Sequence, residues 1–150
     1  MNTLYAIEDV VPHRQDMCLL ERITQWDQDA IEAELVVPEA GLFVEDDQVP
    51  AWVDIEYMAQ AIAAWAGCRA RAAGRPPQLG FLLGTRKFEC NVERFPAGAE
   101  LRIKALRSLQ DDNGMGVFEC HLDGPGIHAE ARLNVFRPPE VASYLQESAP

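Results

Sequence analysis

The chain has 150 residues, 48% of them hydrophobic and 25% charged, which is enough for one domain, residues 1–150, with its own core. A formal charge of -11 argues against a general nucleic-acid binder, and against attraction to an acidic partner unless basic residues gather locally. No stretch is long and apolar enough to span a bilayer, and Met1-Asn2-Thr3-Leu4-Tyr5 has no basic region before an apolar core, so a cytoplasmic chain without a signal peptide is expected.

Residues 5 to 15 hold Pro12-His13-Arg14, an irregular approach. Residues 17 to 26 are apolar, then alternating, and read as a strand. Asp27-Gln28-Asp29 is a turn. From residue 30 to 37, Ile31, Ala33, Leu35 and Val37 alternate with Glu32, Glu34 and Val36, a second strand with one wet face. Residues 39 to 48 form a loop with Gly41 and the acidic Glu45-Asp46-Asp47.

Residues 49 to 72 organise the rest. Pro50 suits the first turn of a helix, where its missing N–H costs nothing. Asp54 lies near the positive end of the helix dipole. Gly74 and Pro76-Pro77 end the helix. Ile55, Met58, Ala59, Ile62, Ala63 and Ala66 make one apolar stripe, and Val53, Tyr57, Ala61, Ala64 and Trp65 fill other faces. A helix apolar all round is expected to be buried. Glu56 sits within it between Ile55 and Tyr57, with Trp52 and Gln60 one turn away. A carboxylate so placed loses hydration and holds its proton more tightly. That makes it a candidate general acid.

Strands follow. Residues 80 to 93 are extended with an interruption at Gly84, and Phe95-Pro96-Ala97-Gly98 is a turn. Residues 101 to 109, 117 to 122 and 127 to 136 alternate as strands, joined by Asp111-Asp112-Asn113-Gly114 and Asp123-Gly124-Pro125-Gly126. His121 and His128 fall on wet faces. Cys18, Cys68, Cys90 and Cys120 are widely spaced and form no C-x-x-C pair, so reduced and mostly buried thiols are expected rather than a metal site or disulfides. Two strands, a long helix and a meander of strands fit an α+β domain, one antiparallel sheet wrapped around a central helix. Such a sheet leaves an edge and an outer face that invite dimerisation.

Three blocks carry a family resemblance. They are Val11-Pro12-His13-Arg14 and the apolar residues after it, Gly41-Leu42-Phe43 followed by Val49-Pro50-Ala51 and Ile55-Glu56-Tyr57-Met58-Ala59-Gln60, and Leu82-Leu83-Gly84-Thr85-Arg86-Lys87-Phe88. In this order and spacing the chain resembles hot-dog-fold 3-hydroxyacyl-(acyl carrier protein) dehydratases, and more closely their aryl polyene and xanthomonadin-type branch. The resemblance implies a hydro-lyase that converts a carrier-bound 3-hydroxyacyl thioester to the trans-2-enoyl thioester. It also implies a homodimer or a heterodimer with a related subunit, an acyl carrier protein as partner, and no cofactor beyond the phosphopantetheine arm that arrives with the substrate. The family's catalytic histidine corresponds to Leu42, and its helix-start glycine to Ala51, while its acidic residue is kept as Glu56.

Dehydration needs a base at C2, an acid at the C3 hydroxyl, and donors to the thioester oxygen. Glu56 is the candidate acid and His13 the candidate base, although His13 equally suits a packing or capping role. The backbone N–H groups of Ala51 and Trp52 are candidates for the thioester oxygen. Phe43, Tyr57 and Gln60 are candidate acyl-tunnel residues. Arg86 and Lys87 meet a phosphopantetheine phosphate or an acidic carrier, or else lie on a solvated strand edge. Two other readings stay open: a non-catalytic partner that shapes the acyl tunnel, and a hot-dog acyl thioesterase using Glu56. No metal ligand set is expected.

Overall fold

The computed structural model describes residues 2–11, 17–76, 81–110 and 114–136, with only the backbone for 81–83 and 110. The elements run α1 (Ile7–Val10), β1 (Arg22–Trp26), β2 (Ala30–Val36), β3 (Gln48–Pro50), a 3-10 turn (Ala51–Val53), α2 (Asp54–Ala72), β4 (Phe81–Cys90), β5 (Arg94–Pro96), β6 (Glu100–Gln110), β7 (Met115–Gly124) and β8 (Ile127–Phe136). Six strands form one antiparallel sheet in the order β1-β2-β6-β7-β8-β4, and β3 and β5 pair separately.

Alternation decides the faces of this sheet. Ile31, Ala33 and Leu35 of β2, Leu101, Ile103 and Ala105 of β6, Phe118, Cys120 and Leu122 of β7, and Ile127, Ala129, Ala131 and Leu133 of β8 all point inward and are buried. Helix α2 packs on β2, β6 and β7. Ala33, Ala105 and Cys120, on the strands that meet α2, share one buried cluster with Ala61, Ala64 and Cys68 of the helix, and side chains this small let sheet and helix pack closely. The short helix α1 packs on α2 as well. A Cβ at Gly67 would overlap the Val10 carbonyl oxygen and lie 2.8 Å from the Val10 Cβ. Only glycine fits there.

The long helix starts two to four residues later than Pro50 suggests, because the chain first makes a 3-10 turn. Its covering is also uneven. Asp54, Tyr57, Met58, Ala61, Ile62, Ala64, Trp65, Gly67 and Cys68 are buried, on the side covered by the sheet and by α1. Ile55, Glu56, Ala59, Ala63 and Ala66 are only half-buried, and Trp52 is 58% exposed. Spaced three and four apart, these six residues lie on one face. The helix is therefore wrapped on one side rather than on every side, a correction to the expectation of full burial.

Strand β1 begins at Arg22, five residues later than the apolar run implies. Residues 18–20 leave the ladder because their backbone is tied to α2 instead, as described below. Residues 94–96 form strand β5 rather than part of a turn. The Asp111-Asp112-Asn113 turn lies outside the described residues. No helix among the described residues is long and apolar enough to cross a membrane.

Candidate active site at the start of the central helix

The first turns of α2, the loop at 41–47 and the segment at 17–20 converge. Gly41 adopts φ 125°, and Phe43, Asp46 and Asp47 adopt φ of 72°, 52° and 61°. Left-handed backbone is costly for a bulky residue such as Phe43. Here it lays the Phe43 ring edge-on against Trp52, with centroids 5.6 Å apart. Leu42 is left 43% exposed beside this pair. An apolar, proton-inert side chain thus occupies the position where the resemblance calls for histidine.

Gln60 is fully buried and ties two segments together. Its Nε2 donates to the Met17 carbonyl at 2.7 Å and to Glu56 Oε1 at 3.2 Å, while its Oε1 accepts from the Leu19 N–H at 2.9 Å. Gln60, a candidate acyl-tunnel residue by sequence, is in the structure the clamp between α2 and residues 17–19. Replacing it by alanine orphans a part-buried carbonyl and a part-buried N–H. Gln60→Ala is expected to cost about 2–3 kcal/mol in urea unfolding and to remove hydrogen-exchange protection from the Leu19 amide. Unchanged protection at Leu19 would show the clamp to be dispensable.

The remaining candidates fall as follows. Glu56 lies on the half-covered face, next to Gln60. His13 lies in residues 12–16, outside the described residues. Tyr57 is buried and stacks on Phe95, with centroids 6.3 Å apart, so it belongs to the core rather than to a tunnel. Burial, with the nearby Asp54 carboxylate, pushes its hydroxyl up to about 12. The Ala51 N–H donates to the Glu93 carbonyl at 2.9 Å. That bond fixes β3 to the start of β5, and it engages one of the two amides that are candidates for the thioester oxygen. Trp52 carries the next amide along. Arg86 and Lys87 are exposed on β4, where the register with β8 shifts and Lys87 takes φ 55°.

Sequence reasoning missed Asp54. It is 0% exposed, and neither carboxylate oxygen has a hydrogen-bond partner among the described residues. Burial alone raises it from an ordinary 3.8 to about 7. A buried, dehydrated carboxylate thus lies two residues before Glu56, on the covered side of the helix. The signal was available: Asp54, Met58, Ala61, Trp65 and Cys68 follow helical spacing, so Asp54 lies in line with core residues. The four cysteines are free. Burial pushes the Cys68 thiol up to about 12 and also raises Cys120, which keeps both thiols protonated and inert.

The model of a dehydratase family, ApeP-like (ApeP dehydratase), matches residues 5–146. The chain belongs to the ApeP-like dehydratase family. A solved structure, the dehydratase heterocomplex ApeI:P from Xenorhabdus doucetiae, is 29% identical over 97% of this chain and 99% of that chain, with a TM-score of 0.85. The E. coli PaaI protein of phenylacetic acid degradation is 14% identical over 77% of this chain and 81% of its own, with a TM-score of 0.59. A hypothetical thioesterase with coenzyme A from Streptococcus pneumoniae is 11% identical over 77% and 86%, with a TM-score of 0.57. These last two share the fold. A comparison with curated protein sequences finds no match. Membership in the ApeP-like family agrees with the resemblance read from the three sequence blocks. The architecture is accordingly the hot-dog fold, six antiparallel strands around one long helix.

Proposed function

We propose that this chain dehydrates 3-hydroxyacyl thioesters presented by an acyl carrier protein, paired with a second hot-dog subunit. The product is the trans-2-enoyl thioester, in the cytoplasmic synthesis of a polyene pigment or a fatty-acid-like chain. The observation that carries this reading is the half-covered face of α2. Trp52, Ile55, Ala59, Ala63 and Ala66 leave apolar surface around one carboxylate, Glu56. Apolar surface of that kind favours a covering partner. The dehydratase relative with a TM-score of 0.85 is itself a heterocomplex.

In this reading Glu56 hands a proton to the departing C3 hydroxyl. The base that takes the C2 proton is His13, because Leu42 has no proton to exchange. His13 stands four residues before Met17, whose carbonyl is held by the same Gln60 amide that reaches Glu56. Chain reach alone keeps it within roughly 14 Å of Met17. The Trp52 amide is assigned to the thioester oxygen, and Arg86 and Lys87 to the phosphopantetheine phosphate or the acidic carrier. The arm comes with the substrate, and the chemistry calls on no other cofactor. A second reading rests on Leu42. A chain that lost the family histidine suits a subunit that shapes the acyl tunnel while its partner reacts.

The test is a dehydration assay on a 3-hydroxyacyl carrier protein, read by mass spectrometry. This chain, a co-encoded hot-dog subunit, and the two together are compared. The proposal expects enoyl product that rises on mixing and depends on Glu56. If the mixture's activity is untouched by Glu56→Gln in this chain, the second reading holds. If the main product is free thiol from a saturated acyl thioester, the chain is a thioesterase and the proposal fails.

A further inference from the structure

The outer face of the sheet brings together four side chains that the acyl chemistry does not use. Strands β7 and β8 pair with His121 opposite Glu130 and Asp123 opposite His128. All four project away from the helix. The imidazoles of His121 and His128 lie 6.1 Å apart, centroid to centroid. His128 Nδ1 is 2.8 Å from Asp123 Oδ1, and His128 Nε2 is 3.2 Å from Glu130 Oε1. One ligand atom each from His121, His128 and Glu130 falls within 4.8 Å of the other two.

The two contacts of His128 cannot both be ordinary hydrogen bonds to a neutral ring. A neutral imidazole has one N–H and one lone pair. If Nδ1–H donates to Asp123, Nε2 turns a lone pair toward a carboxylate oxygen. Two acceptors at 3.2 Å need a cation between them, either a proton or a metal ion. An ion there meets Nε2 and Glu130 together, and His121 closes the third side. Ligand atoms about 3.3 Å apart surround a tetrahedral ion with bonds near 2.0–2.2 Å. The ligand atoms lie within 4.8 Å of one another on surface side chains, so binding calls for a closing movement on the order of 1 Å. Asp123 then holds the far nitrogen of His128, which is how metal-bound imidazoles are commonly oriented.

We propose that His121, His128 and Glu130 bind a borderline divalent transition-metal ion of the Zn²⁺ class, with Asp123 orienting His128. Two imidazoles and a carboxylate suit Zn²⁺ or Ni²⁺ better than Mg²⁺ or Ca²⁺. Three protein ligands leave one position for water or a further ligand. Lys104 lies opposite His121 on β6, and its ammonium competes for the same negative charge. The proposal uses no residue of the acyl site, so it stands apart from the dehydratase reading.

The experiment is a calorimetric titration of the metal-free, tag-free full chain with ZnCl₂, and with MgCl₂ as contrast. The expected result is one Zn²⁺ per chain at micromolar affinity and no saturable Mg²⁺ binding. His121→Ala, His128→Ala and Asp123→Asn each weaken Zn²⁺ by about tenfold or more. Lys104→Ala tightens it. Cobalt(II) gives visible d–d bands without a thiolate charge-transfer band, and Cys18→Ser with Cys90→Ser leaves them unchanged. All the substituted positions of the cluster are at the surface, so the variants fold. Absence of saturable Zn²⁺ binding overturns the proposal. So does binding that survives the His121→Ala, His128→Ala double variant, or a cobalt spectrum with thiolate character.

Discussion

Glu56→Gln is expected to lower the dehydration rate of the mixed subunits by about 10²–10⁴-fold. That is roughly 3–5 kcal/mol of transition-state stabilisation. The reasoning is chemical. A carboxamide keeps the volume of the side chain and an acceptor for the Gln60 Nε2, which Glu56 Oε1 accepts from at 3.2 Å. It loses the transferable proton. The loss should therefore fall on kcat, with KM and the unfolding midpoint little moved. His13→Ala gives the complementary result. If His13 is the base, its removal costs a similar factor, and the double variant costs little more than either single one. If the base belongs to the partner, His13→Ala stays near wild type while Glu56→Gln does not. Normal turnover by Glu56→Gln would remove the assigned acid and with it the proposed mechanism.

The second large effect is on stability. Asp54 is held at about 7 in the folded chain, against an ordinary 3.8. The sign follows from proton counts. Below about pH 3 the group is protonated in both states and contributes no pH dependence. Between about pH 4 and 7 the unfolded chain has released this proton and the folded chain has not, so stability falls as pH rises. Above 7 the whole penalty, about 4 kcal/mol, is present. Asp54→Asn removes the charge. The amide still lacks partners, which costs about 1–3 kcal/mol at every pH. Urea unfolding of both proteins from pH 4.5 to 8 should show the wild type losing stability relative to the variant, by up to about 1.4 kcal/mol per pH unit in the middle of the window. The variant should be the more stable protein at pH 8. A difference that stays flat across pH would mean that Asp54 is hydrated or paired in solution.

How much of this was legible beforehand depends on length and on sidedness. Strands β6, β7 and β8 alternate over ten or more residues, long enough for their period to be read from sequence. Helix α2 was announced by its alanines, by Pro50 and by Gly74. Strand β5 was not, because three residues ending in Pro96 carry no periodicity; it exists only by pairing with β3. Helix α1 is four residues long and is held by the space over Gly67, not by its own propensity. At the candidate site, the family blocks pointed to the first turns of α2. They did not reveal that Asp54 is fully buried. That turns on a rotation of 200° between Asp54 and Glu56, fixed by what the sheet covers. The engaged Ala51 amide was equally hidden, since its acceptor, Glu93, lies 42 residues away in the sequence.

Strand β4 ends the sheet on one side. Its register slips twice, between Leu82 and Gly84 and again between Arg86 and Glu89, and Lys87 is turned left-handed between them. Such a rim offers no long straight row of amides and carbonyls. A stray extended peptide finds only broken footing there, so indefinite stacking of copies is discouraged. What docks must be contoured to the irregularity, and the same kinks that guard against fibres become a lock that few keys fit.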